Sequence, residues 1–301
     1  MLCVGLPSYN RPSALRLSLT SFLANGAELA VVAADASNDA IADEYRTVTT
    51  AYNDRVVAEV GLGRRGSVGA RNRVLELAAE AGCDPLVMAD DDYVLLDDRT
   101  LNLMRSWFSA GDVGAVGGRV VNMAKRAIDP DFFLNLPVAD ALSLVTGYVF
   151  LDVVNGPRIA AYLTPFFALR GDLLAKVRYD RLYESPTAFR EESDLQEQVR
   201  RLGYLLLFEP RAWVAHLALE YGGNRSETDE RSRMRFKARG AAAFITKWHR
   251  GAGLISRLLA STLLMLAYRP WMATDVLAGV HDGVRAASML PKAALASIKD
   301  R

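Results

Sequence analysis

LCVGLPSYNRPSALRLSLTSFLANGAELAVVAAD, residues 2–35, contains one complete strand–helix–strand unit. The apolar run LCVGLPS (2–8) reads as a strand. SALRLSLTSFLANG (13–26) has helical spacing and closes at Gly26, with Ser13 placed after Pro12 to cap the first turn. ELAVVAAD (28–35) is the second strand. The alternation continues outward. A helix runs to about Tyr52, VVAEV (56–60) is a third strand, SVGARNRVLELAAEAG (67–82) a helix, and PLVMAD (85–90) a fourth strand. RTLNLMRSWFSAG (99–111) and VGAVGGRVV (113–121) add a helix and a strand. TPFFALRG (164–171) and LLLFEPRAWVAHL (205–217) read as strands flanking a helix in EESDLQEQVRRLG (191–203). Strands alternating with helices of this length predict an α/β domain with a mostly parallel, doubly wound sheet.

In such a sheet the ligand sits beyond the carboxyl ends of the strands. Tyr9–Asn10, Asp35, the turn after Val60 and Asp90–Asp92 all fall at those ends, so four segments converge on one crevice. The triplet Asp90, Asp91, Asp92 demands a physical account. Adjacent carboxylates repel, and an unpaired one near a core is expensive. Either the cluster lies in water at a loop tip, or a cation compensates it. Mg²⁺ and Mn²⁺ prefer carboxylate oxygen and bind through one or two protein carboxylates plus substrate phosphates. An Asp-x-Asp at a strand end therefore suits a metal–diphosphate site.

Composition narrows the remaining choices. The 301 residues suffice for one large α/β domain or two smaller ones, and a net charge of +1 argues against nucleic acid as a partner. Cys3 and Cys83 form no framework and no metal-ligand spacing, so both are expected as separate core thiols in a reducing compartment. MLCVGLPSYNRP lacks a basic leader, which sets the expectation of a cytoplasmic protein. The most apolar stretch, LISRLLASTLLMLAY (254–268), is interrupted by Arg257 and falls short of the roughly 20 residues that span a bilayer. After about Tyr221 the composition shifts: residues 225–250 carry eight Lys or Arg against three acids, and the remainder is Ala- and Leu-rich. The chain thus divides into 1–220 and a helical region 221–301. The basic run reads either as a loop closing over a diphosphate or as a surface drawn to anionic lipid. Residues 254–290 lie in a membrane interface, pack on the core, or pack on a second subunit of a homo-oligomer.

Six motifs follow one another: PSYNRP (7–12), ADASND (34–39), GARN (69–72), ADDD (89–92), REESDL (190–195) and a strand ending at His216. Their order and spacing resemble glycosyltransferase family 2, of the GT-A nucleotide-sugar-binding fold, over residues 1–217. The resemblance implies a nucleoside diphosphate sugar donor, a divalent metal (Mn or Mg), and a glycan or lipid-linked acceptor. It places Pro7 and Tyr9 near the base and makes Asp35 the residue that hydrogen-bonds it. Ala34 and Ala36 stand where the family has Asp and Gly. It makes Arg71 a nucleotide contact that could also pair with Asp90 or a phosphate. Asp92 becomes a metal ligand with His216 beside it, Asp90 a ribose or metal-shell residue, and Asp91 a sharer of either role. Glu192 falls on the family's catalytic-base aspartate, one methylene longer, with Glu191 as the neighbour able to take over. The chemistry is an inverting transfer in which one carboxylate deprotonates the acceptor hydroxyl. The Gln-x-x-Arg-Trp motif of processive synthases does not occur, which implies transfer of a single sugar.

Two other readings compete. GLGRRG (61–66) satisfies the dinucleotide fingerprint between a strand and a helix, as in a nucleotide-cofactor (NAD-type) oxidoreductase. It follows the third strand, however, and the acid about 20 residues on, Asp84, precedes the next strand rather than ending it. The other is a non-catalytic sugar-nucleotide-binding protein.

Overall fold

The structure, a computed structural model, describes residues 1–123, 139–146, 148–219, 221–223 and 228–290. Arg225 and Glu227 of the basic run, and 291–301 of the C-terminal region, lie outside the described residues. The first half follows the predicted alternation. Strands β1 (Cys3–Tyr9), β2 (Leu29–Ala36), β3 (Val56–Leu62) and β4 (Leu86–Met88) are linked by helices α1 (Pro12–Ala24), α2 (Asp39–Thr50) and α3 (Gly66–Glu80). All four strands are parallel, in the order β3-β2-β1-β4. Helix α1 opens one residue earlier than expected, with Pro12 at its first position and no side-chain cap from Ser13. Proline suits that place because its missing N–H would have no helical partner there.

The second half departs from a purely parallel sheet. It contains β5 (Tyr93–Val94), α4 (Thr100–Ser106), β6 (Val113–Asn122), α5 (Ala139–Thr146), β7 (Arg158–Ile159), β8 (Phe167–Leu169), α6 (Glu191–Arg201) and β9 (Leu205–His216). Strand β8 inserts antiparallel between β4 and β6, and the sheet runs β3-β2-β1-β4-β8-β6-β9-β5, with β7 on β9. The glycines of VGAVGG make the crowding around β6 possible. A Cβ on Gly117 would come within 2.8 Å of Leu163, and one on Gly118 within 2.7 Å of the Ala212 carbonyl oxygen.

Strand β2 is buried along its whole length, and its side chains alternate between two cores. Val31 and Ala33 face Val74, Leu86, Phe167 and Leu195; Ala30, Val32 and Ala34 face Leu15, Phe22, Tyr45 and Phe166. Cys3 and Cys83 are in the first core as expected, but they form a disulfide rather than two thiols, with Cα atoms 5.6 Å apart. The cause is topological. Cys3 starts β1, and Cys83 lies just before β4, whose Leu86 pairs with Cys3. A sequence separation of 80 concealed that proximity.

The C-terminal part is helical: α7 (Glu230–Trp248), α8 (Gly251–Tyr268) and α9 (Ala273–Ser288). The described part of the basic run is mostly α7 rather than a loop, capped by the Asp229 carboxylate accepting from Ser232 N. Its charges are largely committed within the fold. Arg235 pairs with Asp282, and buried Lys247 pairs with Asp180 and with fully buried Asp194. Phe244, Ile245 and Trp248 of α7 join the first core. Trp248 Nε1 and Tyr183 Oη also donate to Asp194, at 2.7 and 3.0 Å. Burial drives the Asp194 carboxyl up, and the Lys247 ammonium opposes that. Replacing Lys247 by Met strands this charge. The expected loss is about 3–5 kcal/mol of unfolding free energy, read by urea denaturation; an unchanged midpoint would show that the pair is not needed.

Candidate active site

Each predicted residue sits at the carboxyl edge of the sheet or on a helix facing it. Pro7 and Tyr9 end β1 and are half-buried; the Arg64 guanidinium stands 5.0 Å from the centre of the Tyr9 ring. Asn10 turns the chain with φ +52°, a conformation asparagine tolerates, and its Oδ1 accepts from Ser37 N at 2.9 Å. Asp35, one residue before the end of β2, is buried and accepts twice from Arg65: from the backbone N–H and from Nε, each at 2.6 Å. Arg65 also pairs with Glu59 and donates to the Ala34 carbonyl. The glycine-rich turn therefore supplies a cation to Asp35.

That turn does not present a free helix N-terminus. Glu184 places its carboxylate there and accepts from Val68 N at 3.2 Å, and a Cβ on Gly66 (φ +81°) would fall 2.4 Å from Glu184. A pyrophosphate bound in the dinucleotide manner needs the position that this carboxylate fills.

Arg71 is the centre of the arrangement. It projects from α3 and is buried. Its Nη2 donates to Asp90 Oδ1 at 2.8 Å and to Glu192 Oε1 at 3.0 Å, while Nη1 donates to Ser67 Oγ. Burial works against its charge, and the Asp90, Glu192 and Glu191 carboxylates outweigh burial and hold it protonated. One guanidinium thus joins the aspartate triplet to the start of α6.

The three aspartates point in different directions. Asp90 is half-exposed and faces Arg71. Asp91 is buried; Ser8 Oγ donates to it at 2.5 Å and Arg11 Nη1 at 3.3 Å. Burial pushes the Asp91 carboxyl up to about 7, against the pull of Arg11. Asp92 is buried, with Oδ2 3.2 Å from Arg11 Nη1 and 3.3 Å from His216 Nε2. The antiparallel pairing of β5 with β9 sets Tyr93 opposite His216 and so brings the imidazole beside Asp92. Among the described residues no three His, Cys, Asp or Glu side chains converge as a complete metal cage. A carboxylate and an imidazole this close nonetheless fit a Mn²⁺ or Mg²⁺ that takes its other ligands from a diphosphate and water.

Two cations absent from the sequence-based site stand out. Arg11 bonds Asp91 and Asp92, and it also donates to the carbonyls of Leu219, Tyr221 and Gly222, which docks the segment after β9 onto the end of β1. Arg65 covers Asp35. Both lie inside quoted motifs, PSYNRP and GLGRRG. Their charge at a strand end was the signal.

Helix α6 separates the two glutamates. Arg190 precedes it with φ +79°, buried, and with Nε and Nη2 unpartnered. Glu191 is 2% exposed, and its Oε2 lacks a partner. Burial, then the neighbouring Glu192 charge, raise its carboxyl well above the ordinary range. Glu192 is half-buried and turned to Arg71.

Residues 3–132 match the family described as Glycosyl transferase family 2. This part of the chain belongs to glycosyl transferase family 2. Solved structures with the same fold include a mannosyltransferase from Pyrobaculum calidifontis in complex with GDP-Man and Mn²⁺. It is 18% identical, with a TM-score of 0.56 over 98% of this chain and 78% of that one. Another is TarS 1–349 of S. aureus in complex with UDP-GlcNAc, 13% identical, with a TM-score of 0.59 over 99% of this chain and 83% of that one. At such identities the likeness is one of fold, and the family 2 domain with its helical C-terminal part is a GT-A fold. No curated protein sequence matches the chain significantly. Family membership supports a nucleotide-sugar glycosyltransferase.

Proposed function

We propose that the chain transfers one sugar from a nucleoside diphosphate sugar to an acceptor hydroxyl, with inversion and with a divalent metal. The observation that supports this most is the Asp90–Arg71–Glu192 chain of contacts beside the Asp92–His216 pair. It joins two carboxylates that keep contact with solvent, Asp90 and Glu192, through one buried guanidinium.

In this reading Asp35 and Tyr9 hold the base. The Asp35 carboxylate keeps lone pairs beyond the two given to Arg65. Asp90 contacts the ribose or the metal shell, and Asp91, committed to Ser8 and Arg11, holds the triplet in place. Asp92 and His216 would hold the metal. When bound, it neutralises charge developing on the leaving diphosphate. Arg71 adds fixed positive charge on the same side. Glu192 takes the proton from the acceptor hydroxyl as its oxygen bonds to the anomeric carbon. The bond from that carbon to the diphosphate breaks on the opposite face, and the nucleoside diphosphate leaves with the electron pair. Glu191, buried and driven toward its neutral form, leaves the base role to Glu192 and limits repulsion beside it.

Thermal shift with UDP-, GDP- and dTDP-sugars, with and without Mn²⁺, tests the reading. One donor family is expected to raise Tm in a Mn²⁺-dependent way, because a ligand that binds the folded state stabilises it. Shifts with NAD(H) and none with any sugar nucleotide would overturn it. A matching donor bound without hydrolysis or transfer would favour the non-catalytic reading. Asp35→Ala is expected to weaken donor binding by about tenfold or more by calorimetry, the worth of a hydrogen bond to a charged group. Unaltered affinity would remove Asp35 from the base site.

A further inference from the structure

Helix α8 is apolar on both its protein-facing and its solvent-facing sides. Its protein-facing side holds buried Ser261, with Leu254 and Leu258 against the first core and Met265 and Leu266 against a cluster formed by Met234, Ala238, Met272 and Val276. Its outer side carries Ile255, Leu259 and Leu263, one per turn, exposed by 61, 59 and 63%. Just beyond stand Tyr268 and Trp271, exposed by 68 and 61%. Helix α5, which packs against α8, exposes Leu144 and Val145. Isolated exposed apolar residues are ordinary, but an unbroken row along one helix marks an interaction surface.

The charges point to the occupant. Helix α8 contains no Asp or Glu and one Arg, Arg257, while Arg250 precedes it and Arg269 follows it. The Arg269 guanidinium lies 5.0 Å from the Tyr268 ring centre and 5.3 Å from that of Trp271. Its ion pair with Glu230 is solvent-exposed and weak in water. Aliphatic side chains along a helix, an arginine at each of its ends and a Tyr–Trp pair at one of them suit the boundary between hydrocarbon and headgroups. At 18 residues the helix begins three residues before the apolar stretch read from the sequence and, contrary to that reading, is long and apolar enough to cross a bilayer by length and composition alone. Its inner side, however, is committed to the protein, which lays it along a surface.

We propose that the outer side of α8, with Tyr268 and Trp271, docks on an anionic lipid bilayer and presents the transfer site to an acceptor held in that bilayer. The second clause rests on the function proposed above; the docking surface does not.

The test is flotation of the full chain with mixed phosphatidylcholine–phosphatidylglycerol vesicles and with pure phosphatidylcholine vesicles. The wild-type chain is expected to float with the mixed vesicles, several-fold less with the neutral ones, and less again at high salt. The double variant Leu259→Glu, Leu263→Glu is expected to lose about tenfold or more of its vesicle binding. Both side chains are exposed, so the Mn²⁺-dependent donor shift is expected to persist and to report a folded protein. Three results overturn docking: no flotation with mixed vesicles, equal flotation of the double variant, or a wild-type dimer by light scattering that the variant makes monomeric without any vesicle binding. The last assigns the face to a second copy. Flotation without any donor shift would leave the docking surface standing and remove the transfer reading alone.

Discussion

Glu192→Gln is expected to lower kcat by about 10³-fold while donor affinity stays within about twofold of wild type. Glutamine keeps an oxygen that can accept from Arg71, which now bonds Glu192 Oε1 at 3.0 Å. The change removes a proton acceptor and little else. The structure gives two carboxylates at this point and sets them in opposite surroundings. Glu191 is sealed and pushed toward its neutral form; Glu192 touches solvent and a guanidinium. Glu191→Gln is therefore expected to affect stability more than the proton step. A reading of kcat and donor Kd for both variants separates them. Wild-type turnover in Glu192→Gln, or a loss confined to Glu191→Gln, would transfer the base role.

Asp92→Ala is expected to lower turnover by about 10³-fold as well, through loss of the several kcal/mol of charge stabilisation that a divalent cation supplies. The two variants have different signatures. In Asp92→Ala the Mn²⁺-dependent part of the donor-induced Tm rise is expected to vanish, and metal titration no longer restores activity. Arg11 keeps Asp91 and three backbone carbonyls as partners, so the strand end is expected to stay in place. Mn²⁺ activation equal to that of the wild type would mean that the cation is held elsewhere.

The parallel half of the fold was legible because β1, β2 and β3, of seven or eight residues, carry an apolar signature and each is followed by a helix. The antiparallel half was hidden in short pieces. Strands β5 and β7 have two residues each, too few for any periodicity, and β8 was legible as a strand within 164–171 but not as an antiparallel one. Even so, β5 positions His216 beside Asp92. The candidate acids were legible as residue types at strand ends. Their division of labour was not. Which of three adjacent aspartates faces solvent depends on Ser8, Arg11 and Arg71, which come from β1, the turn after it and α3. Which of two adjacent glutamates faces it depends on the left-handed turn at Arg190. The disulfide and the Lys247–Asp194 pair were invisible for the same reason: spacing along the chain says little about neighbours in space.

The reach of α7 into the base of α6 has a practical consequence for dissecting this protein. Asp194 lies two residues beyond Glu192 on the same helix, and its counter-charge and its indole donor come from Lys247 and Trp248. A chain cut near residue 220 would keep all six motifs and still lack what neutralises the helix that carries the proposed base. The shortest piece expected to behave as an enzyme extends through Trp248, and the last strand of the sheet is not where the catalytic unit ends.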